Sequence, residues 1–174
     1  HASGTDLAGL GRVAGTELLE TDAFKMGGEV KGSAKALALQ DFKGNASRGS
    51  IECTINGKVD DLISVTGVDL EVKGSGKDLA DVSPIVDKKL PTTGPFTVTG
   101  RLTGSSKALS LQAVEGSVSR DSLRLTVNGK IEDLLALSGI AFKVKGSGKE
   151  LAEIGPLLEK KLPKLGSFDV GGNL

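Results

Sequence analysis

From residue 123 onward the chain alternates, residue by residue, between apolar and polar. Leu123, Leu125, Val127 and Ile131 share one parity, while Arg124, Thr126, Asn128 and Lys130 share the other. A period of two marks a β-strand with one buried face. The same pattern sets Ile140, Phe142 and Val144 on one face, and Leu109 and Leu111 opposite Ser110 and Gln112. Phe96, Val98 and Leu102 likewise alternate with Thr97, Thr99 and Arg101. Four strands are predicted, near 95–103, 107–118, 121–132 and 138–146. Their connections, such as Gly104-Ser105-Ser106 and Ser119-Arg120-Asp121, are short and rich in turn formers. Loops this short join antiparallel neighbours, because a parallel crossover takes about a dozen residues or more. The unit is predicted to be an antiparallel meander.

The segment GSGKELAEIGPLLEKKLP at 146–163 then predicts a short helix near 157–162, with a further turn at 149–154. Pro156 fits a first helical turn, and Lys160 and Lys161 fit a last turn beside the negative end of the helix dipole. Pro163 ends it. In the corresponding earlier segment, Ser83 ahead of Pro84 is the expected N-cap.

That earlier segment exists because the chain repeats itself. TINGKVDDL at 54–62 returns as TVNGKIEDL at 126–134, and VKGSGKDLADV at 72–82 returns as VKGSGKELAEI at 144–154. KKLP at 88–91 and 160–163, GSAKALALQ at 32–40 and GSSKALSLQ at 104–112, and Phe24, Phe96 and Phe168 keep the same offset of 72. Self-similarity at a fixed period is the signature of a repeat architecture. The expectation is one continuous domain over 1–174: a repeat tail at 1–23, units at 24–95 and 96–167, and the start of another at 168–174. Such an array is expected to be part of a longer protein. His1-Ala2-Ser3 resembles the remnant of a cleaved tag.

Composition removes several function classes. Lys plus Arg and Asp plus Glu each number 22, so the net charge is zero. A neutral chain offers no electrostatic footprint for nucleic acid. With no Trp, no Tyr and five Phe, the aromatic platforms of sugar sites and many protein interfaces are missing. No stretch reaches the roughly 20 apolar residues of a membrane span, and no signal peptide is present.

Catalytic chemistry is not expected either. His1 is the only histidine, and Cys53 is the only cysteine, on the apolar parity of its strand. Nucleophile–base pairing therefore lacks its parts, and Cys53 reads as a small hydrophobe. The KGSGK segments fail as phosphate loops, because Glu71 and Lys143 stand where the first Gly belongs, and Asp78 and Glu150 where Ser or Thr belongs. The acids Asp60, Asp61, Glu132 and Asp133 are expected to solvate turns rather than gather into a calcium site. No metal and no cofactor are expected.

A sheet with one apolar face must hide it by curling into a trough, stacking a second sheet or dimerising. An open aliphatic trough would suit acyl chains, which need no directional hydrogen bonds.

At this point a resemblance enters. The run from Gly76 to Ile131 resembles the repeat region of AsmA-like proteins, in which a short helix ending in Leu-Pro precedes Gly-Pro-Phe, a strand and a Leu-rich hairpin. The matching positions are Leu90, Pro91, Gly94, Pro95, Phe96, Gly100, Leu109, Leu111, Gly116 and Val118. The resemblance implies a mainly β fold of antiparallel meander repeats, about four strands and a short helix each, forming a curved, taco-shaped groove. It implies non-enzymatic phospholipid transport to the outer membrane of Gram-negative bacteria, by a periplasmic protein anchored in the inner membrane through segments outside this chain. The groove lining it implies in the first unit is Met26, Val30, Leu37, Leu39, Ile51, Cys53, Ile55, Val59, Val68, Leu70 and Val72. In the second unit it is Val98, Leu102, Leu109, Leu111, Leu123, Leu125, Val127, Ile131, Ile140, Phe142 and Val144. The partner implied is a phospholipid or another acyl-chain ligand. Two other expectations stand beside it: a structural spacer or adhesion module with a sealed core, and an assembly chaperone that offers a strand edge. With the strand edges that the chaperone reading invokes, edge-to-edge homodimers of this segment are expected.

Overall fold

Alternating side chains and short turns leave the backbone one economical solution, a sheet in which each strand pairs with its successor. The computed structural model describes residues 1–6, 8, 20–33, 35–86, 89–158 and 160–173. Ten strands occur: β1 (Ala2–Gly4), β2 (Ala23–Ser33), β3 (Ala36–Arg48), β4 (Ile51–Asp61), β5 (Thr66–Gly76), β6 (Phe96–Ser105), β7 (Ala108–Arg120), β8 (Leu123–Asp133), β9 (Ser138–Gly148) and β10 (Phe168–Asn173). They lie side by side in chain order in one open antiparallel sheet, from β1 at one edge to β10 at the other. The four strands expected over 95–146 are present, most of them extended by one to three residues.

Register carries the face assignment across the whole sheet. One row runs Phe24, Ala46, Cys53, Gly74, Val98, Gly116, Val127, Val144, Gly172, spanning β2 to β10. The next row, on the opposite face, runs Lys25, Asn45, Thr54, Lys73, Thr99, Glu115, Asn128, Lys143, Asn173. Two bulges keep the division intact where simple alternation would break it. In β3 the pairing shifts between Leu39 and Phe42, and in β7 between Leu111 and Val114. Asp41 and Ala113, at φ 50° and 49°, hold the extra residues. Each bulge flips the apolar parity, so Phe42 and Val114 fall on the same face as Leu39 and Leu111.

The helical segments differ from expectation in place. A 3₁₀ helix occupies Leu79–Val82, followed by an α-helical turn at Ser83–Val86, and a second 3₁₀ helix occupies Leu151–Leu158. The later helix thus lies ahead of the expected 157–162. Pro156 falls near its end rather than in its first turn, and Lys160 and Lys161 follow it. Residues 87, 88 and 159 lie outside the described residues. Ser83 is not the N-cap. Asp78 is, its side chain accepting from the Ala80 N–H, while Ser83 sits in the helical region with its Oγ accepting from the Leu90 N–H at 3.0 Å. Asp78 takes the cap because the helical segment begins at Leu79, ahead of Ser83.

A glycine and a phenylalanine pair near the start of β2, β6 and β10, the last two where the chain returns from a helical segment to the sheet. Phe24, Phe96 and Phe168 open their strands and pair directly with Gly4, Gly76 and Gly148. Each ring lies over its glycine: a Cβ at Gly76 would come within 2.6 Å of Phe96 Cε1, and one at Gly148 within 2.7 Å of Phe168 Cε1. Phe24 and Phe96 are buried, in a sheet that carries no second sheet among the described residues.

Gly76→Ala is therefore expected to cost about 1–3 kcal/mol, by forcing the Phe96 ring off its seat. Gly172→Ala, where an added Cβ meets nothing within 4 Å, is expected to stay within about 0.5 kcal/mol. Urea unfolding midpoints of the two variants check both.

Candidate functional site

All the residues assigned to the groove lining lie on one face of the sheet, as the registers require. Of these, only Val59, Val68 and Leu123 are buried. Val30, Val98 and Ile140 are exposed, and the rest, including Met26, Leu37, Leu39, Ile51, Ile55, Leu70, Val72, Leu102, Leu109, Leu111, Leu125, Val127, Ile131, Phe142 and Val144, are half-buried. A sealed core would bury most of them, since a side chain in a core touches neighbours on every side. Among the described residues this face carries no second sheet and no helix layer.

Half-burial comes instead from the face covering itself. Leucines and phenylalanines lie down across neighbouring glycines: Leu39 Cδ1 stands 3.0 Å from the Cβ position of Gly28, Leu111 Cδ1 3.1 Å from that of Gly100, and Leu125 Cδ2 2.7 Å from that of Gly146. Phe42 crosses Gly44 in the same way. The result is an aliphatic carpet with gaps. One gap, about 140 Å³, is floored by Phe24, Met26, Phe42, Ala46, Cys53 and Ile55. It is well below the roughly 300–1,000 Å³ of a typical enclosed ligand pocket, so anything held here lies along the face. Cys53 is half-buried in this gap, and burial pushes its thiol up. It is a poor nucleophile in consequence.

The sequence reading missed Phe24, Phe42, Val114 and Val118 as members of this face. Phe24 was flagged only as a repeat position in register with Phe96 and Phe168, and Phe42 only by its own apolarity. Val114 and Val118 stand on the wrong parity for a β7 read without its bulge.

The opposite face is polar and holds the larger hollows. One of about 830 Å³ lies among Lys25, Glu29, Asp41, Lys43, Asn45 and Asn56. Another of about 540 Å³ lies among Lys58, Asp69, Glu71, Thr99 and Arg101. Around the second hollow and along the neighbouring strands the charges answer one another within the face. Arg101 donates to both Asp69 carboxylate oxygens at 2.6 Å, which holds that carboxyl below its usual range. Lys58 meets Asp60 at 3.0 Å, Lys73 meets Glu71 at 3.0 Å, and Lys130 meets Glu132 at 2.7 Å. These pairs are exposed and contribute little stability.

The acids at the strand ends build turns. The Ser64 hydroxyl donates to Asp61 Oδ2 at 2.6 Å and the Ile63 N–H to Oδ1 at 2.9 Å, which lowers the Asp61 carboxyl. Asp133 Oδ1 accepts from the Leu135 and Ala136 N–H groups at 2.8 and 2.9 Å. At the opposite rim the Asp78 carboxylate collects N–H groups from Ala80, Thr93 and Gly94. Burial pushes this carboxyl up, but those three donors and the charge of Arg120 outweigh it and leave it lowered. The KGSGK segment thus ends in a docking joint, where the Ser50 hydroxyl also donates to Asp81.

Among the described residues no group of three or more His, Cys, Asp or Glu could hold a metal ion, and no helix is long and apolar enough to cross a membrane. No family model, no curated protein and no solved structure matches this chain.

Asp78→Ala is expected to cost about 1 kcal/mol at neutral pH through loss of the cap. Because the folded carboxyl is lowered, its contribution is present above the unfolded value of about 3.9 and fades as pH falls through the folded one. The gap between wild type and variant in thermal melts should therefore be full at neutral pH and close in acid, as the folded carboxyl takes up its proton.

Proposed function

We propose that this chain is a segment of a non-enzymatic lipid-handling groove, built of 72-residue units, whose apolar face carries acyl chains along the sheet. What supports the reading is the one-sided aliphatic carpet, continuous from β2 to β10 and without a covering layer among the described residues. Flexible hydrocarbon tolerates such a lining, because it gains from area removed from water and needs no aligned donors. Exposed patches above a few hundred Å² are uncommon on monomers and mark interaction sites.

The repeating unit has its own support. Bulges at Asp41 and Ala113, loop bonds from Leu62 N–H to Leu37 O and from Leu134 N–H to Leu109 O, and joints from Ser50 to Asp81 and Ser122 to Glu153 all keep one offset. Units of this kind extend a groove by addition. The resemblance to AsmA-like repeats supports phospholipid as the cargo and the periplasm as the setting, with curling of the sheet supplying the trough. A sealed spacer is the weaker reading, because so few of the face residues are buried.

A photo-reactive residue at Val98, exposed on the apolar face, should capture phospholipid when the protein is expressed in a Gram-negative host. The same residue at Thr99, on the polar face of the same strand, should not. Native mass spectrometry should find co-purifying phospholipid in the wild type, and Leu125→Asp should lose it, with Leu111→Asn as a milder companion. Equal labelling at Val98 and Thr99, or lipid-free protein that also refuses fluorescent fatty acid, would sink the reading.

A further inference from the structure

Strands β2, β4, β6 and β8 all run toward one rim of the sheet, where four hairpins turn in succession. The helical segments all sit at the other rim. The second and fourth of these turns, at 62–65 and 134–137, read Leu-Ile-Ser-Val and Leu-Leu-Ala-Leu. Their side chains stand in solvent: Ile63 is 54%, Leu135 62% and Leu137 67% exposed. A turn is where polar residues and glycine ordinarily gather. Here it is aliphatic, twice.

These tips are also held rigid. Val65 and Leu137 adopt φ 48° and 49°, a left-handed backbone strained for a bulky side chain. Asp61 and Asp133 grip the turns from within, and the Ser106 N–H binds Val65 O at 2.8 Å, tying the neighbouring turn to the first tip. The intervening turns carry Lys35 and Lys107, both exposed and in no ion pair among the described residues. The nearby acids are engaged: Asp60 and Glu132 with lysines on their own strands, Asp61 and Asp133 with turn N–H groups.

We infer that this rim docks on a lipid bilayer, with the 62–65 and 134–137 tips entering the interface and Lys35 and Lys107 meeting lipid phosphates. Aliphatic side chains flanked by lysines on flexible stems suit the boundary between headgroup and acyl chain. A protein partner would be expected to meet aromatics and arginine instead, and the tips have neither. The inference does not need the groove: a docked rim is compatible with an empty face, and a loaded face with a rim that ignores vesicles.

The chain has no Trp, so Leu135→Trp and Lys143→Trp each give a single reporter, one at a tip and one on the polar face. With vesicles of phosphatidylethanolamine and phosphatidylglycerol, the emission of Leu135→Trp should shift to the blue and be quenched by acyl-brominated lipid, while Lys143→Trp stays unchanged. Ile63→Asp with Leu135→Asp should lower vesicle binding roughly tenfold or more. Leu165→Asp, at an exposed site by the other rim, should leave binding intact. Matched thermal melts check that each variant folds. A silent Leu135→Trp, an equal response from Lys143→Trp, or equal losses in Leu165→Asp and the tip variant would overturn the inference. So would a blue shift that follows protein concentration without vesicles, which would make the tips a protein contact.

Discussion

A strand cannot choose the face of its side chains independently of its hydrogen bonds. Once β8 pairs with β7 and β9, every odd residue from Leu123 to Ile131 must point to the side already taken by Val118 and Val144. Nine strands obey this rule from β2 to β10, and the result is a continuous apolar face on a single open layer. Each 100 Å² of such a face left in water costs about 2.5 kcal/mol. Glycine gaps filled by Leu39, Phe42, Leu111 and Leu125 reduce that cost without abolishing it. Whatever completes the cover decides what the protein does.

The local devices serve the same constraint. The bulges at Asp41 and Ala113 shift parity in mid-strand, yet both halves of β3 and β7 keep their apolar residues on one side. Without them either Leu39 or Phe42 would turn to the polar face. The strain of a left-handed alanine at 113, of order 1 kcal/mol or more, is smaller than the cost of turning Val114 and Val118 into water. At the ends of the strands, Asp61, Asp78 and Asp133 convert unpaired N–H groups into capped turns, so the sheet can reverse direction without a second layer of support.

Much of this was legible from the residues. Strict alternation in 123–131 and short polar turns gave the strands and their antiparallel order, because both signals are local. The bulges were not legible: nothing in Gln112-Ala113 announces a positive φ, which depends on pairing with β8. Helix position failed for a related reason. Pro156 and the following lysines fit a helix over 157–162, but the helix starts where the chain leaves β9, so Leu151–Leu158 is helical instead. Gly76 and Gly148 looked like failed phosphate loops, and their role as seats for Phe96 and Phe168 depends on a partner strand about 20 residues away in sequence. That the assigned residues share one face was legible from parity within each strand, while Phe42, Val114 and Val118, placed there by the bulges, were not. The exposure of the lining residues was not legible either, since parity says which side a residue faces and never what lies above it.

Concavity and chemistry point to different faces, and the difference can be weighed. The largest hollows open on the polar side, among lysines and carboxylates whose long side chains stand apart and leave space between them. At the second of them Arg101 with Asp69, Lys58 with Asp60 and Lys73 with Glu71 already satisfy one another. A ligand entering it must displace water from charged groups and break exposed pairs, gaining little in return. On the apolar side the hollow described is small, yet Val30, Val98 and Ile140 stand exposed elsewhere along the same face. Each methylene laid on that surface gains by leaving water, with no hydrogen bond to replace. Volume measures room; the free energy of occupation follows the surface that bounds it, and on that measure the flatter, oilier face has the more to gain from being covered.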